Sequence, residues 1–424
     1  MYTPDTPDTP DNPNNPDNQL RRSLTLPMLI LYGLGTTIGG GIYALVGKVA
    51  ARAGMLAPLS FVAAALLSAF TALAFAELSS RYPKSAGEAV YVQQAFKKKN
   101  LTLIIGILVV LNGCISAAAL ANGFVGYLQV FVAIPDWVAI VAVTVALGLL
   151  AIWGIGQSVI TAAVITLVEI AGLILIIWVT RSDLASFPAR LDEFNPGLNS
   201  TMWLGILSGS FLAFYAFIGF EDMVNIAEEV KDVERNLPRA IIVTLALTTL
   251  IYFLVTLAAV LAVPPEQLGQ QSAPLTYIYA FKTGADGTLI SLISIFAIVN
   301  GGLIQMIMAS RVLYGMSRQS LVPAQLNFMA DINPRTQTPI KATVLVMLLV
   351  SVLALSYAIE SLAETTSLMI LIIAVVVNTA LVQIKLKAHE HPEAKGIRVP
   401  IAVPITGLII SFGFAIMIAI DIAK

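Results

Sequence analysis

The sequence predicts an all-α polytopic membrane protein of about eleven transmembrane helices. It is built as two inverted five-helix repeats, with the first helix of each, helices 1 and 6, discontinuous. Three observations predict this. Hydrophobic residues make up 58% of the 424 residues and charged residues 12%, against about 25% charged in an average soluble chain, and the mean hydropathy is +0.86. Apolar segments recur at the length an α-helix needs to cross a bilayer, roughly 20 residues. The first and sixth of them are interrupted in mid-segment.

Taken in order, residues 1–19 are almost entirely Pro, Asp, Thr and Asn. Such a composition builds no core and lacks the apolar stretch of a signal peptide, so it reads as a disordered cytoplasmic leader. Apolar segments follow at about 26–47, 57–77, 102–131, 135–153, 159–180, 204–227, 239–262, 288–316, 341–358, 362–384 and 401–421. The third and eighth exceed a bilayer's thickness and are expected to tilt.

The first segment carries Gly33, Gly35, Gly39, Gly40 and Gly41. Each glycine weakens a helix by about 1 kcal/mol relative to alanine, so the helix should break in mid-membrane. Irregular backbone at that depth is tolerated where it is packed in protein or lines a cavity. The N–H groups of Gly39, Gly40 and Gly41 would then open a second half-helix and, with its dipole, suit an anion. The competing reading is close helix packing through small residues. In the fifth segment Glu169 is a lone acid among apolar residues, and an intramembrane carboxylate is functional by default; the alternative is pairing with a polar group of a neighbouring helix. The sixth segment holds Gly219 followed by Glu221 and Asp222. Acids are costly in a span unless the helix unwinds into a wet cavity. Asn112, Ser116, Asn300 and Gln305 are further polar candidates in apolar segments, each of which, taken singly, reads first as an ordinary interhelical hydrogen bond.

Counted by alternate loops, eighteen Lys and Arg fall on the amino-terminal side and six on the other. The bias puts the amino terminus in the cytoplasm, and an odd helix count puts the carboxyl terminus outside. Five helices being odd, the second repeat enters from the opposite face. The expected division is a leader at 1–19, a core at 20–384 with repeats at about 20–182 and 200–384, and a loop with helix 11 at 385–424. Matched breaks in inverted halves point to a secondary transporter with a site near the midplane. Cys114 is the single cysteine and His389 and His391 share one polar loop, so neither a disulfide nor a Cys- or His-based metal or catalytic centre is expected. With no P-loop and no catalytic constellation, the chain does not read as an enzyme, and no cofactor or nucleic-acid partner is implied.

Four stretches resemble the amino acid–polyamine–organocation transporter superfamily. They are Gly35-Thr-Thr-Ile-Gly-Gly-Gly-Ile-Tyr43, the run from Ala76 to Tyr91, Ala213-Phe-Tyr-Ala-Phe-Ile-Gly-Phe-Glu221 continuing to Ala240, and Ser310 to Arg318. The resemblance covers nearly everything after the leader and implies the five-plus-five fold, although members usually have twelve spans. It implies a permease of the plasma (inner) membrane that moves amino acids or related amines by alternating access, as a proton- or sodium-coupled symporter. The alternatives are an amino acid/polyamine exchanger and a sensor with a transporter fold. It assigns Ile38, Gly39, Gly40 and Gly41 to the substrate carboxylate, and Tyr215, Ala216 and Ile218 to its amine. Phe217 or Phe220 would cover the substrate as a gate, unless either is plain packing. In some proton-coupled relatives a lysine occupies the point of helix 5 where Glu169 stands, so the coupling ion stays open between proton and sodium. The charged link from Glu228 to Arg239 would clamp an inward gate by ion pairs with Arg81 or Arg318, each worth at most about 1 kcal/mol, or be a solvated loop.

Overall fold

A computed structural model describes residues 24–83, 87–153, 159–318, 328–331, 333, 336, 338–390 and 392–422. The leader lies outside them, as do the side chains of Glu228 and Arg318. Among the described residues the backbone is nearly all helical, with no strand beyond one parallel bridge between Leu24 and Val230.

The first apolar segment is two helices, α1 (Leu26–Ile38) and α2 (Gly41–Ala53). Each has 13 residues, about 20 Å at 1.5 Å per residue and too short to span alone. A 3-10 turn at Gly54–Leu56 leads into α3 (Ala57–Arg81). A short helix, α4 (Gly87–Phe96), precedes α5 (Lys99–Leu128), α6 (Asp136–Trp153) and α7 (Val159–Val179). After α8 (Arg181–Leu184) the sixth segment begins as α9 (Ser200–Tyr215), capped by Asn199, whose side chain accepts from the N–H groups of Thr201 and Met202. It then leaves α-helical geometry and continues as a 3-10 stretch, Glu221–Glu229. There follow α10 (Val233–Ala262), α11 (Pro265–Gly269), α12 (Pro274–Thr283), α13 (Thr288–Arg318), α14 (Ile340–Ser356), α15 (Ile359–Leu386) and α16 (Ala402–Ile422).

Among the described residues seven helical stretches are long and apolar enough to cross a membrane, and Leu26–Ile38, Ala163–Val179 and Ile340–Ser356 are shorter apolar helices. This is a multi-pass membrane protein. Large apolar side chains stand exposed on α6, α7, α14 and α16, among them Trp153, Ile174, Val352 and Phe412, as a lipid-facing surface requires. At the end of α7 the Arg181 guanidinium lies 4.5 Å over the Trp178 ring, a pairing suited to a membrane–water interface.

The core forms where small residues let helices approach closely. A Cβ at Gly113 would lie 3.0 Å from that of Ala309, drawing α5 against α13. The most extensive pairings join α5 with α13, α3 with α10 and α15 with α16, followed by α5 with α15; α2 also meets α9 and α6 meets α14. Both discontinuous segments sit inside this frame, α1 against α10 and α7, and α2 against α9.

Candidate functional site

The first break follows from its glycines. Gly39 adopts φ +32°, ψ −142° and ends α1, and Gly40 caps α2. The expectation placed the Gly39 N–H at the start of the second half-helix. Instead it donates to the Gly35 carbonyl at 3.2 Å and closes the first. The groups without intrahelical acceptors are those of the cap and first turn of α2, Gly40 to Tyr43.

The second break begins at Tyr215. Ala216, Phe217 and Ile218 donate to carbonyls three residues back, at 3.0–3.1 Å, which tightens the chain into successive turns. Gly219 then takes φ +125°, a region that L side chains rarely adopt, and its Cβ would sit 2.3 Å from the Thr36 carbonyl oxygen. Its N–H donates to the buried Glu221 carboxylate at 2.9 Å, and its carbonyl accepts from the Thr36 hydroxyl at 3.0 Å. A Cβ at Gly41 would lie 2.9 Å from the Ala216 Cα. The two breaks therefore touch backbone to backbone.

Tyr252 of α10 joins them. Its hydroxyl lies 3.0 Å from the Thr37 carbonyl, 3.3 Å from Ile38 and 2.8 Å from Ala216. Its ring is held edge-on by Phe61 and Phe217. The Tyr215 hydroxyl donates to the Ser116 carbonyl of α5 at 3.0 Å, and the Tyr127 hydroxyl donates to the Tyr43 carbonyl at 2.6 Å.

Between the breaks lies a cavity of about 20 Å³ lined by Thr36, Thr37, Gly39, Gly40, Gly41, Ser116, Leu120, Tyr215, Ile218, Gly301 and Gln305. That volume holds little more than a water molecule. Of the residues expected here, Gly39, Gly40, Gly41, Tyr215 and Ile218 line the cavity. Ile38 and Ala216 turn their carbonyls to Tyr252 instead. Phe217 and Phe220 are buried outside the lining, packed on Phe61 with Tyr252 and on Phe75 respectively.

Glu169 belongs to a second polar locus. It is fully buried on α7, where one carboxylate oxygen accepts from Asn300 of α13 at 3.2 Å. The other oxygen has no hydrogen-bond partner, and neither has the buried Thr37 hydroxyl. The Tyr43 hydroxyl donates to the Glu169 carbonyl at 2.6 Å, tying α2 to this locus.

Ion pairs link helices at the two ends of the bundle. At one end Lys48 meets Glu360 at 3.0 Å and Arg52 meets Glu364, both linking α2 to α15. At the other, Arg81 pairs with the buried Glu77 at 2.7 Å. Glu77 also accepts from Lys385 at 2.7 Å and from the Val399 N–H at 2.8 Å, which docks the 392–399 loop. The charged link is reached by Lys395, which pairs with Glu234 at 2.9 Å. Sequence reasoning missed Tyr252, Tyr43 and Tyr127. A hydroxyl in mid-span that needs a partner was the available signal.

A family model described as amino acid permease matches residues 24–422. The vacuolar cationic amino acid transporter 4 of Arabidopsis thaliana is 31% identical over 374 residues, covering 82% of this chain and 61% of the plant protein. The branched-chain amino acid permease BcaP of Bacillus subtilis (strain 168) is 27% identical over 404 residues, covering 88% and 83%. Cationic amino acid transporter 4 of Homo sapiens is 28% identical over 399 residues, covering 89% and 62%. The chain spans about three fifths of the length of the plant relatives it matches.

Proposed function

We propose, from the premise that this chain belongs to the amino acid permease family, that it is a secondary active amino acid transporter working by alternating access. The observation that carries the reading is the meeting of two broken helices at one small cavity. An amino acid presents a carboxylate and an ammonium on one carbon, and burying either ion without partners costs several kcal/mol. Backbone dipoles answer both. The unpaired N–H groups around Gly40 and Gly41 take the carboxylate at the start of α2. Carbonyls of the second break around Tyr215 and Ile218 take the ammonium at the end of α9, that of Tyr215 through the lone pair its bond from Ile218 leaves open. Ile38 and Ala216 contribute by holding the breaks through Tyr252.

Coupling is assigned to Glu169, whose unpartnered oxygen and the nearby Tyr43 and Asn300 contacts make a locus for a proton or sodium. The Lys48 end faces outward and the Arg81 end faces the cytoplasm, following the charge count. The pairing of α3 with α10 and α5 with α13 supports the inverted repeat. Relatives named for cationic and for branched-chain amino acids support amino acids as the substrate class.

The test is uptake by reconstituted liposomes against a panel of labelled amino acids, with and without sodium and pH gradients. Accumulation that collapses with one gradient supports symport. Strict exchange without accumulation favours the antiporter reading. Movement of no amino acid under any condition contradicts the proposal.

A further inference from the structure

The lining of the central cavity holds two buried polar atoms with no hydrogen-bond partner, the Gln305 amide oxygen on α13 and the Thr37 hydroxyl on α1. Gln305 is 5% exposed and Thr37 is 2% exposed. Other hydroxyls of the lining are engaged. That of Thr36 reaches the Gly33 and Gly219 carbonyls, and that of Tyr215 donates to the Ser116 carbonyl. An acceptor or hydroxyl left bare away from water is destabilising, so each such atom needs an explanation.

The Gln305 amide is not free to turn over. Its nitrogen donates to the Asp222 carboxylate at 3.1 Å. A carboxylate accepts and does not donate, so the opposite orientation would set oxygen against oxygen. The amide oxygen is thereby left as an acceptor in the wall of the cavity. The lining residues carry no charge, and Leu120 and Ile218 add apolar surface. Room is short on the α13 side, where a Cβ at Gly301 would lie 3.4 Å from the Gly40 nitrogen. The group that fits is therefore small and neutral, donating to Gln305 and accepting from Thr37. A hydroxyl does both with one atom. An ammonium or guanidinium only donates, and this lining offers it no counter-charge.

We propose that Gln305 and Thr37 are specificity-determining residues that read a hydroxyl on the substrate's side chain, so that the preferred substrates are the small hydroxy amino acids, serine and threonine. The proposal rests on the main-chain assignment to the two breaks. With the carboxylate on α2 and the ammonium at the end of α9, Gln305 and Thr37 are left for the side chain. Asp222 acts at one remove, as the positioning residue for the Gln305 amide. A site built to hydrogen-bond a substrate hydroxyl rejects the analogue that lacks it, because the site's own polar groups then stay bare.

The test is ligand-induced thermal stabilisation of the purified full chain, titrated separately with threonine, valine, serine, alanine and lysine. Threonine and valine have nearly the same shape and differ in the hydroxyl, as do serine and alanine. In the wild type the hydroxy member of at least one pair should bind about tenfold more tightly, or better. Gln305→Met keeps the length and removes the amide, and should bring that ratio close to one while the hydroxyl-free partner still binds. Thr37→Val should lower the same ratio and serves if Gln305→Met fails to fold. A merely structural role would weaken both members of a pair alike and leave their ratio unchanged. Equal affinities within both pairs in the wild type overturn the proposal, as does a ratio unchanged in Thr37→Val and in any folded Gln305→Met. Tighter binding of lysine than of either hydroxy amino acid overturns it too. Binding of none of the five overturns the assignment at the breaks and this proposal with it. Binding of valine or alanine without a hydroxyl preference overturns this proposal alone.

Discussion

The Tyr252 hydroxyl lies within 3.3 Å of three carbonyls on two different spans. A single O–H cannot fully satisfy all three, so its partner can change as the breaks move. Tyr252→Phe keeps the ring between Phe61 and Phe217 and removes the hydrogen bond, worth about 1 kcal/mol net and more when buried carbonyls are left bare. Counterflow of labelled amino acid should fall roughly tenfold with expression retained; an unaltered rate would remove Tyr252 from the mechanism. Glu169→Gln keeps volume and removes charge. It should abolish gradient-driven accumulation while exchange persists, and unchanged accumulation with an unchanged pH profile would contradict its coupling role. Glu88 gives a stability prediction. Its carboxyl, raised from 4.5 to about 7 by burial, holds its proton more tightly folded than unfolded. That contribution is complete below about pH 4.5 and is lost as pH rises through about 7. Between those values the melting temperature of the wild type should fall by a few degrees more than that of Glu88→Gln, and parallel curves would refute the assignment. At this scale the sequence was legible where polarity stood out against apolar neighbours, as with Glu169, Asn300 and Gln305. It was opaque for Tyr252, whose acceptors come from residues 36 and about 215 positions away.

Two half-helices in place of one span are what give the site its electrostatics. The first break was readable because Gly39, Gly40 and Gly41 are consecutive and glycine is a poor helix former. The second was readable only at Gly219 and the acids after it. The helix stops earlier, at Tyr215, because contact with the first break and with Tyr252 overrides the helical preference of Ala216 and Phe217. A side chain at Gly41 would meet the same contact. Its Cβ points at the Ala216 backbone, so Gly41→Val should force the breaks apart. Gly219→Ala meets both an unfavourable φ and the Thr36 carbonyl, and strain of this kind costs about 1–3 kcal/mol before the clash is added. It should lower the melting temperature and abolish transport. Gly413→Ala on α16 meets nothing within 4 Å and should be neutral or stabilising by up to about 1 kcal/mol. Equal tolerance of Gly219→Ala and Gly413→Ala would mean that the second break is not a fixed feature.

The cavity between the breaks, about 20 Å³, is far smaller than an amino acid, so the proposed function requires the breaks to part. The Lys48–Glu360 and Arg52–Glu364 pairs and the Glu77 cluster with its docked loop are the contacts that opening at either end would break. The apolar segments and their charge bias were legible along the chain, since length and composition alone decide them. The clamp at the Arg81 end was not, because Glu77 draws partners from Lys385 and Val399, more than 300 residues on. The native cysteine, Cys114, is buried, so cysteines introduced at Lys282 and at Lys395 report sidedness without background. An impermeant thiol reagent outside the cell should label the first and spare the second; the reverse would invert the topology. The central claim is that substrate binds between the broken helices through its own backbone groups. A substrate-bound structure of the full chain tests it most directly. The account predicts the amino acid's carboxylate at the N–H groups of Gly40 to Ile42 and its ammonium at the carbonyls around Tyr215 and Ile218, with both breaks intact. Continuous helices through residues 38–41 and 216–220, or substrate held elsewhere with this cavity still closed, would contradict it.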